Sequence, residues 1–154
     1  MARPLEEYFS PGVIASDCQD YGWGHLVHDF LFPTPVEWSV DWIITNPPFK
    51  LAEQFVSRGL EIARDGVAVL VRSAWLEGCA RYGDIFKVNR PSLILQYAER
   101  VPMVEGRVDE KASSATAYCW VVWEKPGAGI TTFDWIAPCR KAFERAGDYR
   151  EAAA

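Results

Sequence analysis

No run in this chain is long and apolar enough to span a membrane, and nothing in it reads as a secretory leader, so neither an integral membrane protein nor an exported one is expected. The four cysteines (Cys18, Cys79, Cys119 and Cys139) have no paired spacing, which argues against a disulfide framework and fits a reducing, cytoplasmic setting. Histidine is scarce, with two residues. Cys18, His25 and His28 form the only conceivable metal cluster, but no fourth ligand stands at zinc-like spacing, so ordinary packing is the better reading and no metal is expected. Positive charge is also in deficit. Sixteen Lys and Arg against 21 Asp and Glu leave a formal net charge of −5, which disfavours tight, sequence-blind DNA binding while leaving room for a local basic rim. Internal repeats and low-complexity tracts are absent.

What is present is enough for one core. Residues 1–154, 49% of them hydrophobic, are read as a single domain. Seven tryptophans in this length imply a sizeable core or an aromatic-lined pocket.

The most informative stretch is Asp41-Trp42-Ile43-Ile44-Thr45-Asn46-Pro47-Pro48-Phe49. Residues 42–45 read as a buried strand, stopped by a turn signal. The paired prolines fix two φ angles, remove two N–H donors and push Asn46 into extended geometry, so the carbonyls there cannot enter a helix. A stiff loop of acceptors between an amide and an aromatic ring suits a flat, amine-bearing group. The Asn46 side-chain oxygen and the Pro47 carbonyl would accept the amine hydrogens, and Phe49 would stack on the ring. Two acceptors on those hydrogens favour pyramidal nitrogen and free its lone pair for attack on a methyl carbon, with no strong base required.

Around this stretch the pattern predicts an α/β domain. Residues 2–9 carry Leu5, Tyr8 and Phe9 on one helical stripe. Residues 13–16 read as a short strand closed by Asp17, placed to meet a ribose diol or simply to serve as a turn residue. A helix is predicted over 50–64 and is stopped by Asp65-Gly66. The run 67–71 has the continuous apolar character of a strand buried on both faces, so a right-handed βαβ unit and a parallel sheet follow. Further strands are predicted over 93–97, 116–123 and 130–136, with a short helix over 81–88, a mobile loop over 104–114 and a charged helix from 138 onward.

Asn46-Pro47-Pro48-Phe49 after an apolar strand resembles the catalytic loop of S-adenosylmethionine-dependent amino-methyltransferases, whose pattern is Asp/Asn/Ser-Pro-Pro-aromatic. The resemblance runs from Ala2 to about Ile136 and is nearest to phage- or prophage-type adenine-N6 DNA methyltransferases. It implies a Rossmann-like three-layer sandwich with a mostly parallel sheet, and methyl transfer to an exocyclic amine, adenine N6 in duplex DNA with the base flipped. Asn46, Pro47, Pro48 and Phe49 would be the catalytic loop. Asp17, Asp29 and Phe30 would hold the nucleoside half of S-adenosylmethionine. Arg72, Trp75 and Arg81 would face nucleic acid, although a bland reading makes Trp75 a lid on the core and puts Arg72 in a salt bridge.

The family pattern also has a strand and a Gly-rich loop ahead of the first helix, and neither is found before Ala2 here. Without them the strands near Val13 and Ile43 would pair with each other, or another chain would fill the gap, and self-association becomes plausible. Weakened cofactor binding is expected in either case. Two alternatives stay open: a non-catalytic remnant that keeps nucleic-acid contacts through Arg72, Arg81, Lys87 and Arg90, and a protein glutamine methyltransferase using the same loop.

Overall fold

The computed structural model describes residues 2–9, 11–22, 25–32, 39–103, 114–127 and 129–145. Helix α1 (Ala2–Phe9) is followed by two short strands, β1 (Ser16–Asp17) and β2 (Leu26–Val27). Then come β3 (Val40–Thr45), α2 (Ala52–Ile62) and β4 (Ala63–Arg72). A 3-10 turn (Ser73–Leu76), the single turn α3 (Cys79–Arg81) and a π turn (Tyr82–Phe86) lead to β5 (Leu93–Tyr97), β6 (Tyr118–Glu124), β7 (Thr132–Ile136) and α4 (Arg140–Phe143). Among the described residues, no helix is long and apolar enough to cross a membrane.

The protein is a mixed α/β structure with two sheets. The larger has the order β3-β4-β6-β5-β7, and β1 and β2 form a separate parallel pair. In the larger sheet β3 runs parallel to β4 and β5 parallel to β7, while β6 lies antiparallel to both β4 and β5. Four strands therefore share one direction, as the βαβ reading expects, and β6 opposes them. The strand near Val13 does not pair with the one near Ile43: Ser16 and Asp17 instead lie opposite Leu26 and Val27. Ile14, read from the sequence as part of a short strand over 13–16, is outside both β1 and β2 and is 64% exposed.

The core forms where α2 covers β4. Val67, Val69 and Val71 point to one side, against Ala52 and Val56 of α2 and Cys119, Val121 and Trp123 of β6 or its flank in the same layer. Ala68 and Leu70 on the opposite side are also buried, which accounts for the unbroken apolar run. Gly59 sets the closeness of helix and strand, because an added Cβ would lie 3.1 Å from both Val67 methyls. Glycine inside a helix costs roughly 0.5–1 kcal/mol relative to alanine, a penalty offset here by closer packing.

The helix-to-strand step corrects the boundary expected from Asp65-Gly66. Helix α2 ends at Ile62, Ala63 is already extended (φ −73°, ψ 138°), and Asp65 and Gly66 belong to β4. Gly66 acts as a close-approach residue, since a Cβ there would meet the Trp42 ring at 2.5 Å and the Trp123 carbonyl at 2.6 Å. Lys125 then finishes α2 from a distance, its Nζ donating to the Leu60 and Ala63 carbonyls at 2.9 and 2.7 Å.

Strand β5 has the predicted limits. The last strands are shifted by one or two residues, and the helix predicted over 81–88 is the short α3 with its π turn. Of the helix expected from 138 onward, the described part is the four-residue α4, and residues 146–154 lie outside the described set. Most of the loop predicted over 104–114 lies outside it too, as do residues 33–38 and 23–24.

Candidate functional site

Strands β3 and β4 end side by side, with Thr45 opposite Val69, so the loops that leave them share the carboxyl edge of a parallel pair. Ligand crevices of open α/β sheets lie at this edge. Asn46 is exposed, Pro47 is buried, Pro48 is exposed and Phe49 is half-buried. Burial of Pro47 anchors the loop. The Pro48 carbonyl accepts the Leu51 N–H at 2.8 Å, which turns the chain into α2. Among the described residues, neither the Asn46 amide nor the Pro47 carbonyl has a hydrogen-bond partner.

Phe49 brings the neighbouring strands into the site. Its ring centroid is 6.0 Å from that of Tyr118, which is buried at the start of β6 and lies in register with Arg72 at the end of β4. The Arg72 guanidinium sits over the Phe49 ring, 4.6 Å from its centroid. Arg72 therefore lies beside the Asn-Pro-Pro-Phe loop, where the sequence reading puts it, and the salt bridge of the alternative reading is not found among the described residues.

A polar floor ties these strand ends together. Ser73 donates its N–H to the Ala117 carbonyl at 2.9 Å and its hydroxyl to Gln96 Oε1 at 2.7 Å. Gln96 Nε2 donates to the Tyr97 and Tyr118 carbonyls, each at 3.0 Å. Ser73, Gln96 and Tyr118 went unrecognised in the sequence because their contacts join strands far apart in the chain. The nearby Cys119 thiol is fully buried, and burial pushes its pKa up to about 11 against a smaller opposing pull from Ser73. It is therefore a packing residue and no nucleophile.

Trp75 and Arg81 lie together, but their contacts are internal. Trp75 is 6% exposed, meets Phe86 edge-on at 5.5 Å, and finds no acceptor for its indole N–H among the described residues. Arg81 covers the Trp75 ring at 4.7 Å, donates Nε to Glu53 at 2.9 Å, and donates Nη1 to the carbonyls of Trp75 (2.6 Å) and Glu77. The reading of Trp75 as a lid on the core describes this geometry.

Asp17 and Asp29 are exposed, and each closes an Asx turn. Asp17 Oδ1 accepts the Gln19 N–H and Asp29 Oδ1 the Leu31 N–H, both at 3.0 Å. The second oxygen of each carboxylate has no hydrogen-bond partner among the described residues. Phe30 stacks on Phe55 of α2 at 4.9 Å, which ties the Asp29 step to the helix that follows the Asn-Pro-Pro-Phe loop. A shallow groove of about 390 Å³ lies between Leu31 and the outer side of α2, lined by Glu53, Glu61 and Asp84 among others. It shares no residue with the Asn46–Phe49 loop. Among the described residues, no three His, Cys, Asp or Glu side chains converge as they would to hold a metal ion.

The site thus combines two acceptors without hydrogen-bond partners, an aromatic ring and a cation without a carboxylate partner among the described residues, all at one sheet edge. No family model matches the chain, and no curated protein matches it.

Proposed function

We propose that this site transfers a methyl group from S-adenosylmethionine to an exocyclic amine, best matched by adenine N6 in DNA. One observation carries the reading: the exposed Asn46 amide and the Pro47 carbonyl, neither with a hydrogen-bond partner among the described residues, stand at the outlet of a parallel strand, in the same loop as the Phe49 ring. The order of the larger sheet, with one antiparallel strand among four of common direction, is compatible with a Rossmann-like methyltransferase domain.

Asn46 Oδ1 and the Pro47 carbonyl each accept one hydrogen of the amine, which draws its nitrogen toward pyramidal geometry and turns the lone pair outward. Pro47 and Pro48 keep the acceptors in place, so little reorganisation accompanies the reaction. The Phe49 ring orients the plane of a flipped base. Bound S-adenosylmethionine would supply the electrophilic methyl carbon. Asp17 would receive the hydroxyls of its ribose and Asp29 its adenine amine, each through the oxygen its Asx turn leaves open, with Phe30 against the adenine. The nitrogen would gain the methyl carbon as the carbon–sulfur bond of the sulfonium breaks with its electron pair left on sulfur as a thioether, and the surplus proton would pass from the nitrogen to water beside Asn46 and Pro47.

The test is transfer of labelled methyl from S-adenosylmethionine to adenine-containing duplex DNA. Asn46→Ala removes an exposed side chain with no packing role, so the circular dichroism spectrum stays unchanged while the rate falls roughly a hundredfold or more, the usual effect of losing a group aimed at the transition state. A wild-type chain that methylates no adenine, or an Asn46→Ala variant as fast as wild type, overturns the proposal.

A further inference from the structure

Arg72 occupies the seat that the proposed function gives to the target base. Its guanidinium lies 4.6 Å from the Phe49 centroid, and a base stacked on that face needs the same space. Tyr118, at 6.0 Å, is buried and cannot yield. Arg72 is exposed and can. Five arginines (Arg58, Arg64, Arg81, Arg140 and Arg145) each hold a carboxylate, whereas Arg90 and Arg100, like Arg72, hold none among the described residues, and Arg72 alone of these three lies over an aromatic ring there. Among the described residues Arg72 is exposed and its guanidinium donates no hydrogen bond.

We propose that Arg72 is a selectivity gate: it lies on Phe49 while the site is empty, and it leaves for a phosphate when a base arrives on a polynucleotide. This rests on the methyl-transfer reading and narrows its substrate. A neutral planar ligand, such as a free nucleoside or an amide side chain, must displace the cation and offers it nothing in return. A base joined to a phosphodiester chain brings an anion within the reach of a long, flexible side chain, where bidentate, charge-assisted hydrogen bonds replace the lost ring contact. The gate therefore selects amines carried on a phosphate backbone.

The experiment compares wild type with Arg72→Ala, Arg72→Lys and Asn46→Ala. Fluorescence anisotropy follows a short single-stranded oligodeoxyadenylate over a range of KCl concentrations, and calorimetry follows adenosine. Arg72→Ala is expected to bind the oligonucleotide roughly tenfold more weakly at low salt, the size of one lost charge-assisted contact. Its slope of log affinity against log salt should be shallower by about 0.7, the value for one phosphate on a single strand. It should also bind adenosine more tightly than wild type. Arg72→Lys keeps the charge without the flat stacking group, so it retains the salt slope yet gains adenosine affinity. A wild-type salt slope in Arg72→Ala, or adenosine binding that improves in neither variant, overturns the gate. If those results appear while Asn46→Ala still abolishes methylation, the gate alone fails. A wild-type chain that binds neither probe sinks the gate and the methyl-transfer reading together.

Discussion

Replacing Arg81 by methionine separates a structural arginine from a nucleic-acid contact. The change keeps the aliphatic stem and removes the guanidinium, which makes three hydrogen bonds and one ring contact. These are unequal. The ion pair with Glu53 is partly solvated, with side-chain exposures of 21% and 44%, so it is worth less than about 1 kcal/mol. Glu77 is exposed, and water can take over its carbonyl at little cost. The part-buried Trp75 carbonyl has no such substitute, and a bond to it from a charged donor is worth about 1.5–3 kcal/mol. The cation over the buried Trp75 ring adds about 1 kcal/mol. A loss of about 3–4 kcal/mol follows, equivalent to a fall in Tm of roughly 6–16 °C for a chain of this size. Thermal and urea unfolding followed by circular dichroism measure the loss. Oligonucleotide anisotropy measured below the transition should keep the wild-type salt slope. Unchanged stability together with a slope reduced by about one phosphate would show that Arg81 serves nucleic acid and that the internal contacts are idle.

Three further perturbations test the frame around the site. Gly66→Ala forces a Cβ against the Trp42 ring and the Trp123 backbone carbonyl, so urea unfolding should show a loss of about 2–3 kcal/mol, whereas Gly83→Ala, with nothing within 4 Å of its added Cβ, should be neutral or gain up to about 1 kcal/mol; equal stabilities for the two would contradict the close-approach role. Glu99 accepts the Arg140 and Cys139 N–H groups, which hold its carboxyl below the ordinary value of 4.5, so its stabilising contribution is complete above that pH and is lost as pH falls through the lower folded value. Glu99→Gln should accordingly flatten the acid side of a Tm-against-pH curve, and an unchanged acid limb would count against the cap. Iodoacetamide mapping at neutral pH should label the exposed Cys18 and Cys79 and spare Cys119, whose thiol is buried and titrates at about 11.

How far the sequence discloses this protein depends on the range of the interactions involved. The apolar heart of β4 was legible because burial on both faces leaves an unbroken run of β-branched and apolar residues, and the half-buried β5 was legible from the consecutive apolar residues Leu93, Ile94 and Leu95. Asp65-Gly66 misleads for a specific reason. Locally it is a turn signal, but Gly66 is required by the Trp42 ring crossing it from β3, a contact with no trace in the neighbouring residues. Val13 and Ile14 have the composition of a strand, yet only Ser16 and Asp17 enter a ladder, because composition supplies no pairing partner. Trp75 and Arg81 follow β4 closely enough to belong to the edge loops. Glu53 of α2 and the carbonyls of Trp75 and Glu77 draw the guanidinium inward instead.

The candidate site divides along the same line. The acceptors are local: Asn46, Pro47 and Pro48 are consecutive, their geometry follows from two fixed φ angles, and a sequence can display them. The surface they serve is assembled from distant parts. Phe49 belongs to the same loop, but Arg72 reaches its ring because β4 ends beside β3, and Tyr118 borders it because β6 enters antiparallel between β4 and β5. Ser73 and Gln96 then tie β4, β5 and β6 into one floor beside that ring. Chemistry of the proposed kind requires only the loop, whereas selection among amines requires the floor and the cation above it. Substitutions at Asn46 should therefore act on turnover for every substrate alike, and substitutions at Arg72 should change the ranking of substrates while leaving the attack geometry in place.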